Sequence, residues 1–306
     1  MINFRYHVVS LIAVFLAFGM GILMGTTFIP EATVDQLRLR QEELRRTTEE
    51  LQGNLTEANR RGTALSQFTD LVKPEILRGR LAGRAVVMIG FESTADEVLD
   101  GISTTLQGAG AQINAVLRLS EQVEPTTPER RSALANLLNT SSEDEEALLV
   151  LFTQRMSEAL SGQKPGFIQA VIDAGLMQYR PIQDGPTFLP AAELSPPGSA
   201  IIIVGPEGDA ESRITASIMT PLARTLAGPP FDTVSVACER GSSDFTSVAA
   251  LRQEGAPRLV TVDGVESSLG QITVVLGTSA AFLGRFGHYG TGEGAGALIA
   301  PFAPPG

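Results

Sequence analysis

Lysine is nearly missing from this chain. Of 23 basic residues only Lys73 and Lys164 are lysine, and 34 acidic side chains leave a formal net charge of -11. A surface of that sign repels the phosphate backbone that dominates nucleic-acid affinity, so DNA and RNA are poor candidates as partners. One cysteine, Cys238, rules out an internal disulfide. Two histidines, His7 and His288, form no His/Cys cluster with the spacing of a zinc or copper site, and the seven methionines make no repeated soft-ligand motif. Neither GxGxxG nor GxxxxGK(S/T) follows an expected strand, and there is no GxSxG or Cys-His signature. The repeated ten-residue segments alternating apolar and polar side chains that an outer-membrane pore needs are also absent.

What is present suits a folded protein: 306 residues, 43% hydrophobic and 19% charged, enough for one large domain or two smaller ones. The charge is uneven. Residues 1–84 hold 11 basic and 9 acidic side chains, leaving 12 and 25 for residues 85–306. The distal part is the acidic one.

After a short N-terminal tail (1–7), residues 8–29 carry no formal charge. As a helix they reach roughly 33 Å, the thickness of a bilayer core. The segment reads as an uncleaved transmembrane helix. A cleaved signal peptide is the rival, but its apolar region is usually shorter, and no clear small-x-small site precedes Pro30. Ala13, Ala17, Gly21 and Gly25 fall on nearly one stripe, the last pair a GxxxG, where a second helix can approach closely. Small residues are also simply common in membrane helices. Met20 and Met24 suit a soft metal, and suit lipid better. Arg5 before the span against Arg38, Arg40, Arg45 and Arg46 after it favours the larger portion inside by the positive-inside count.

A helical coiled-coil stalk is expected over 31–73. Leu37, Leu44, Leu51, Ala58, Leu65 and Val72 occupy heptad d, and Val34, Gln41, Thr48, Leu55, Gly62 and Thr69 occupy a. Pairs Arg38–Glu42, Arg45–Glu49 and Arg46–Glu50 at i,i+4 support the helix, by about 0.2–0.5 kcal/mol each. A parallel homodimer through Ala13, Ala17, Gly21, Gly25, Val34, Leu37, Leu44, Leu51 and Leu55 is one expectation. An amphipathic helix packed on its own head is the alternative, since the dimer brings Arg40 near Arg45 of the partner and Gly53 and Gly62 weaken the helix. Pro74 marks the expected end.

The head, 84–306, alternates apolar runs suited to buried strands (85–89, 112–117, 200–204, 233–237, 258–262) with helix-like stretches (95–107, 128–138, 143–160, 167–175, 211–226, 246–254, 267–285). This predicts an α/β fold with a doubly wound, mostly parallel sheet and a Pro-rich connection at 180–197. Ligands in such sheets bind at strand carboxyl ends, here Gly90-Phe91-Glu92-Ser93 and Gly205-Pro206-Glu207-Gly208-Asp209. Glu92, Glu207 and Asp209 oppose a phosphate there, and Ser93 and Thr94 are expected to cap a helix. Cys238 reads as a buried core residue rather than a nucleophile. A hydrolase would have to use His288 as its base. Cys238 and His288 are weak metal candidates, and the glycines around Gly287, His288, Tyr289 and Gly290 suit either a packed C-terminal loop or a contact surface.

The opening Phe4-Arg5-Tyr6-His7-Val8-Val9-Ser10-Leu11, through Ala13-Val14-Phe15-Leu16-Ala17 and Gly25, and the closing Gly287-His288-Tyr289-Gly290 resemble the actinobacterial MctB-like envelope family. That family is known as copper transport protein B and, in some members, as SteB cell-separation proteins. The resemblance implies a head outside the cytoplasmic membrane, against the arginine count, and a non-enzymatic role tied to copper homeostasis. For SteB-like members it implies a cytoplasmic partner and control of septal peptidoglycan hydrolases. Copper enters through the resemblance only, since no ligand motif carries over, and no other cofactor is required. The expected partners are the bilayer, a second copy, and cell-envelope or division proteins.

Overall fold

The computed structural model describes residues 4–27, 31–164, 166–180, 194–196, 198–205, 215–228, 234–239, 247–255 and 258–302. The chain divides into two compact units, Met1–Leu65 and Ser66–Gly306.

The first unit is helical. Helix α1 (Phe4–Thr27) contains one apolar stretch long enough to cross a membrane, Arg5–Gly25. Helix α2 (Glu31–Leu77) starts in this unit and carries exposed Leu37, Leu44, Leu51, Leu55 and Leu65. Of the three expected ion pairs one forms, Arg45 Nε to Glu49 Oε1 at 2.9 Å. Arg38 turns instead to Asp35 and Arg46 to Glu42, both on the preceding turn. On a solvated face these alternatives are nearly equal in energy, so sequence spacing alone does not select between them.

The second unit takes in the last turns of α2, earlier than the boundary at residue 84 expected from sequence. Pro74 does not stop the helix, which continues to Leu77. A proline in the last turn removes one backbone donor, and that loss is offset because Leu77 and, just beyond, Leu81 are buried in the core. Thr69 is buried, Asp70 accepts from Ser268, and Lys73 Nζ donates to Gln271 Oε1 at 2.6 Å.

From there the chain forms β1 (Ala85–Phe91), α3 (Asp96–Gly108), β2 (Gln112–Leu119), α4 (Pro128–Leu138), α5 (Glu145–Leu160), α6 (Gly166–Asp173) and β3 (Met177–Arg180). After residues outside the description follow β4 (Ala200–Val204), α7 (Thr220–Ala227), β5 (Val234–Cys238), α8 (Ser247–Glu254), β6 (Leu259–Val262), α9 (Ser268–Phe282) and β7 (Gly287–Tyr289). They build one seven-stranded sheet, order β3-β2-β1-β4-β5-β6-β7, parallel except that β3 runs antiparallel to β2. Most of the Pro-rich connection at 180–197 lies outside the described residues. The described part of the expected helix at 211–226 opens as one π-helical turn, Thr215–Met219, before α7.

Alternate residues of the central strands feed two cores. Val87, Ile89, Phe91, Leu117, Ile201 and Ile203 pack with α4, α5, α6 and α7 through side chains such as Leu134, Phe152, Val171 and Leu222. Val86, Met88, Val116, Ile202 and Val204 pack with α3 and α9 through Leu99, Ile102, Ile272 and Leu276. Burial on both faces is why these strands read as unbroken apolar runs. The helix starts are set locally: Thr127 accepts from Arg130 N, Asp144 from Ala147 N and Ser267 from Gly270 N.

Ile202 lies fully buried in the middle strand pair. Ile202→Ala is expected to lower stability by about 2–5 kcal/mol in urea unfolding of the detergent-solubilised chain. Val150→Ala, at an exposed position of α5, is expected to change it by less than about 0.5 kcal/mol.

Candidate functional site

The chain leaves β1 on one side for β2 and later returns on the other for β4, so the crevice of interest lies beyond the carboxyl ends of β1 and β4. Thr94 closes part of it. Its hydroxyl accepts from Phe91 N at 2.9 Å and donates to Gly205 O at 3.1 Å, tying the two strand ends together. Helix α3 is therefore not capped by Ser93 or Thr94: its N-cap is Ala95, with no side-chain cap bond. Arg118 of β2 spans the same corner, bonding Asp96 Oδ1 at 2.8 Å, Glu92 O at 3.0 Å and Thr94 O at 2.6 Å. Arg180 of β3 adds Asp100 at 2.5 Å. Glu92 accepts from Glu121 N and Ser120 Oγ, and these bonds hold its carboxyl below the usual range, the backbone bond first. Glu207 and Asp209 lie outside the described residues.

Further along the edge the same use of acids recurs. Glu239, after β5, accepts from Val248 N at the start of α8. Asp263, after β6, forms a fully buried ion pair with Arg252 of α8, Nη1 to Oδ2 at 2.8 Å. The pair organises the C-terminal glycine-rich segment. Arg252 also donates to Tyr289 O (2.6 Å), Glu293 O (3.2 Å) and Thr261 Oγ1 (2.9 Å). The Asp263 carboxylate accepts from Thr291 N and Gly292 N. Gly290 sits against that carboxylate at φ +130°, where an added Cβ would fall 2.1 Å from Oδ1. Gly287, His288 and Tyr289 form β7, parallel to β6. Sequence reading missed this strand and the Arg252–Asp263 pair that holds it.

The two metal candidates lie on opposite faces of the sheet. Cys238 aligns with Val262 and Tyr289 and is buried in the α9-side core, whereas His288 aligns with Thr261 and Ala237. Burial, then the Glu239 charge, pushes the Cys238 thiol far above the range where a thiolate forms. Thr261 Oγ1 accepts from Arg252 Nε at 2.9 Å and lies in hydrogen-bond contact with His288 Nδ1, 3.0 Å away. Burial and then Arg252 lower the His288 pKa. Thr261 is fully buried, so this Thr–His pair offers a substrate no nucleophile. Among the described residues no group of three or more His, Cys, Asp or Glu is arranged to hold a metal ion. Met88, Met156, Met177 and Met219 are core residues, while Met20 and Met24 are exposed on α1.

Two predictions follow from this geometry. Arg252→Met leaves Asp263 buried and unpaired. It is expected to cost about 3–5 kcal/mol in urea unfolding and to make the segment after Phe286 sensitive to limited proteolysis. In the unfolded chain His288 takes up a proton as pH falls through about 6.5, while the folded imidazole resists until its lower pKa. Stability is therefore expected to fall from pH 7 through pH 6 and then level off, and His288→Gln should flatten that part of the profile.

A family model described as "Copper transport outer membrane protein, MctB" matches residues 1–300. The chain is 25% identical over 318 residues to a protein named copper transporter MctB from Mycobacterium tuberculosis (strain ATCC 25618 / H37Rv), covering 96% of this chain and 98% of that protein. A Mycobacterium leprae (strain TN) protein of the same name is 23% identical over 322 residues, covering 98% and 100%. The match runs through the apolar helix, the long helix and the sheet to β7 and the loop that Arg252 and Asp263 hold, and on that extent the chain belongs to the MctB family.

Proposed function

We propose that this chain is a non-enzymatic, single-pass protein of the cell envelope that serves copper homeostasis through protein contacts, as a homodimer with its head outside the cytoplasmic membrane. The observation that carries the reading is the family match across residues 1–300, which includes the apolar helix α1 as well as the sheet. Relatives along almost the whole length are named copper transporters. The strand order, turning about β1, fits a doubly wound head. Among the described residues one helix is long and apolar enough to cross a membrane, and helices cover both faces of the sheet, which supports contact rather than passage through the head. Cys238 and His288, on opposite faces, cannot share one copper ion, which favours contact over ligation as the mode of action.

The dimer reading rests on unpartnered surface. Ala13, Ala17, Gly21 and Gly25 share one side of α1, and Leu37, Leu44, Leu51 and Leu55 are exposed along α2, in line with a coiled-coil stalk continuing from Val34. In a parallel pair Leu44 faces its copy and Arg46 points away. Because Cys238 is buried, Leu44→Cys supplies one accessible thiol per chain. Mild oxidation in membranes is expected to link Leu44→Cys into dimers much faster than Arg46→Cys, and equal rates would contradict the dimer. Cells lacking the gene are expected to be copper-sensitive, and the purified full chain to show no saturable Cu(I) uptake. Stoichiometric Cu(I) binding abolished by His288→Ala or Cys238→Ser would replace contact with direct ligation.

A second reading, control of septal peptidoglycan hydrolases by coupling a cytoplasmic partner to an external enzyme, is favoured by one feature. The last turns of α2 are bonded to the start of α9 through Asp70–Ser268 and Lys73–Gln271, as a helix that conveys movement into a head needs to be. Recovery of a cell-wall hydrolase with the membrane-extracted chain supports this reading, and unchanged cell separation after deletion removes it.

A further inference from the structure

We propose that the turn joining α2 to β1 is a binding site for a phosphate group, held between Arg80 and Arg84. The turn and the end of α9 enclose a cavity of about 200 Å³ whose lining includes Gly79, Arg80, Gly83, Arg84, Ser279 and Phe282. That volume accepts a tetrahedral anion with its hydration, and Gly79 and Gly83 leave backbone rather than side chain on the wall.

Many arginines of this acidic chain are paired with carboxylates. Arg78 pairs with Glu75, Arg118 with Asp96, Arg180 with Asp100 and Arg252 with Asp263. Among the described residues, Arg80 and Arg84 meet no carboxylate. Arg80 Nε donates to Ile76 O at 3.2 Å, and its guanidinium carbon lies 5.8 Å from the Phe302 ring centroid. Its Nη1 is shielded from solvent and has no hydrogen-bond partner. Buried donors are normally satisfied; Nη1 itself is closed off from solvent, so an anion in the cavity reaches the Arg80 guanidinium by its other N–H groups or after a small turn of the side chain. Arg84 lies over the Phe282 ring, its guanidinium carbon 4.5 Å from the centroid. Stacking fixes the plane of the fork and leaves its N–H edge available for an anion.

A purely structural account exists, since cations are favourable at the C-terminal ends of α2 and α9. It explains the sign of the charge and the bond to Ile76 O. It does not explain why Arg84 stacks on a ring instead of bonding the carbonyls of α9, and the same helix ends oppose an anion, so the two guanidinium charges must outweigh them for one to bind. Two arginines lining one cavity suit an anion with several acceptor oxygens, which a phosphate monoester, a phosphodiester or inorganic phosphate presents and a single planar carboxylate does not. The source is either free phosphate or a lipid headgroup.

The test is calorimetric titration of the full chain in neutral detergent, at constant ionic strength, with inorganic phosphate and separately with glycerophosphoglycerol, the water-soluble phosphodiester of an anionic lipid. Saturable binding of at least one is expected, weakened about tenfold or more by Arg80→Gln and by Arg84→Gln. Arg258→Gln, an exposed arginine before β6, should leave it unchanged. Tighter binding of inorganic phosphate assigns the site to free phosphate, and tighter binding of the diester assigns it to a headgroup. Should either pocket variant fold poorly, mass spectrometry of phenylglyoxal-treated wild-type chain replaces it, with Arg80 and Arg84 protected by the bound anion and Arg258 not. Absence of saturable binding by both probes, binding that survives both pocket substitutions, or absence of selective protection overturns the proposal.

Discussion

An apolar helix of this length cannot rest in water. Leu11, Phe15, Phe18, Ile22 and Leu23 of α1 are all more than half exposed. Each represents about 1.5–3 kcal/mol of hydrophobic free energy left unrealised. Those five side chains alone approach the whole stability of a typical folded domain, about 5–15 kcal/mol. The helix must therefore sit in lipid or against another apolar surface, and lipid suits its length and its lack of charge. On the proposed reading, with α1 retained in lipid, everything beyond Pro30 acts as a tethered object at high local concentration near one membrane.

The described strand ends of the head are taken up by ordered contacts. Three described acids at the strand carboxyl ends, where ligands enter many parallel sheets, are committed to backbone and arginine partners: Glu92 to Glu121 N, Glu239 to Val248 N, Asp263 to Arg252 and the 291–292 amides. Such carboxylates hold loops in place. The head is thus suited to presenting a fixed surface. Its most order-demanding part is the C-terminal segment, whose shape depends on one buried ion pair and on Gly290 having no side chain to meet Asp263.

The physical reason for what could be read from sequence lies in burial. Five strands were legible because both their faces are covered, so Ala200–Val204 and its neighbours are continuous apolar runs. β3, with Gln178 and Arg180 among its four residues, and β7, three residues with a glycine, are short edge strands whose pairing comes from the sheet beside them, and no local pattern marks them. The Arg252–Asp263 pair was hidden for a similar reason. Its members are ordinary charged residues on a helix and a strand, and only the fold reveals that both are buried. The closely spaced glycines at 284, 287, 290, 292 and 294 were the one available signal, and they marked the segment without indicating whether it was a packed loop or a contact surface. Pro74 misled because a proline near the end of a helix removes one bond, while the burial of Leu77 and Leu81 is a tertiary gain invisible to local rules.

The central claim is that the uncleaved α1 threads the membrane once and leaves the head outside. The most direct measurement is protease treatment of intact spheroplasts carrying the full chain with an N-terminal tag. The account predicts that the sheet domain is digested while a tagged fragment containing α1 stays in the membrane and resists alkaline extraction. A head protected until the membrane is breached, or a mature chain that begins beyond Thr27 and washes free, would contradict it.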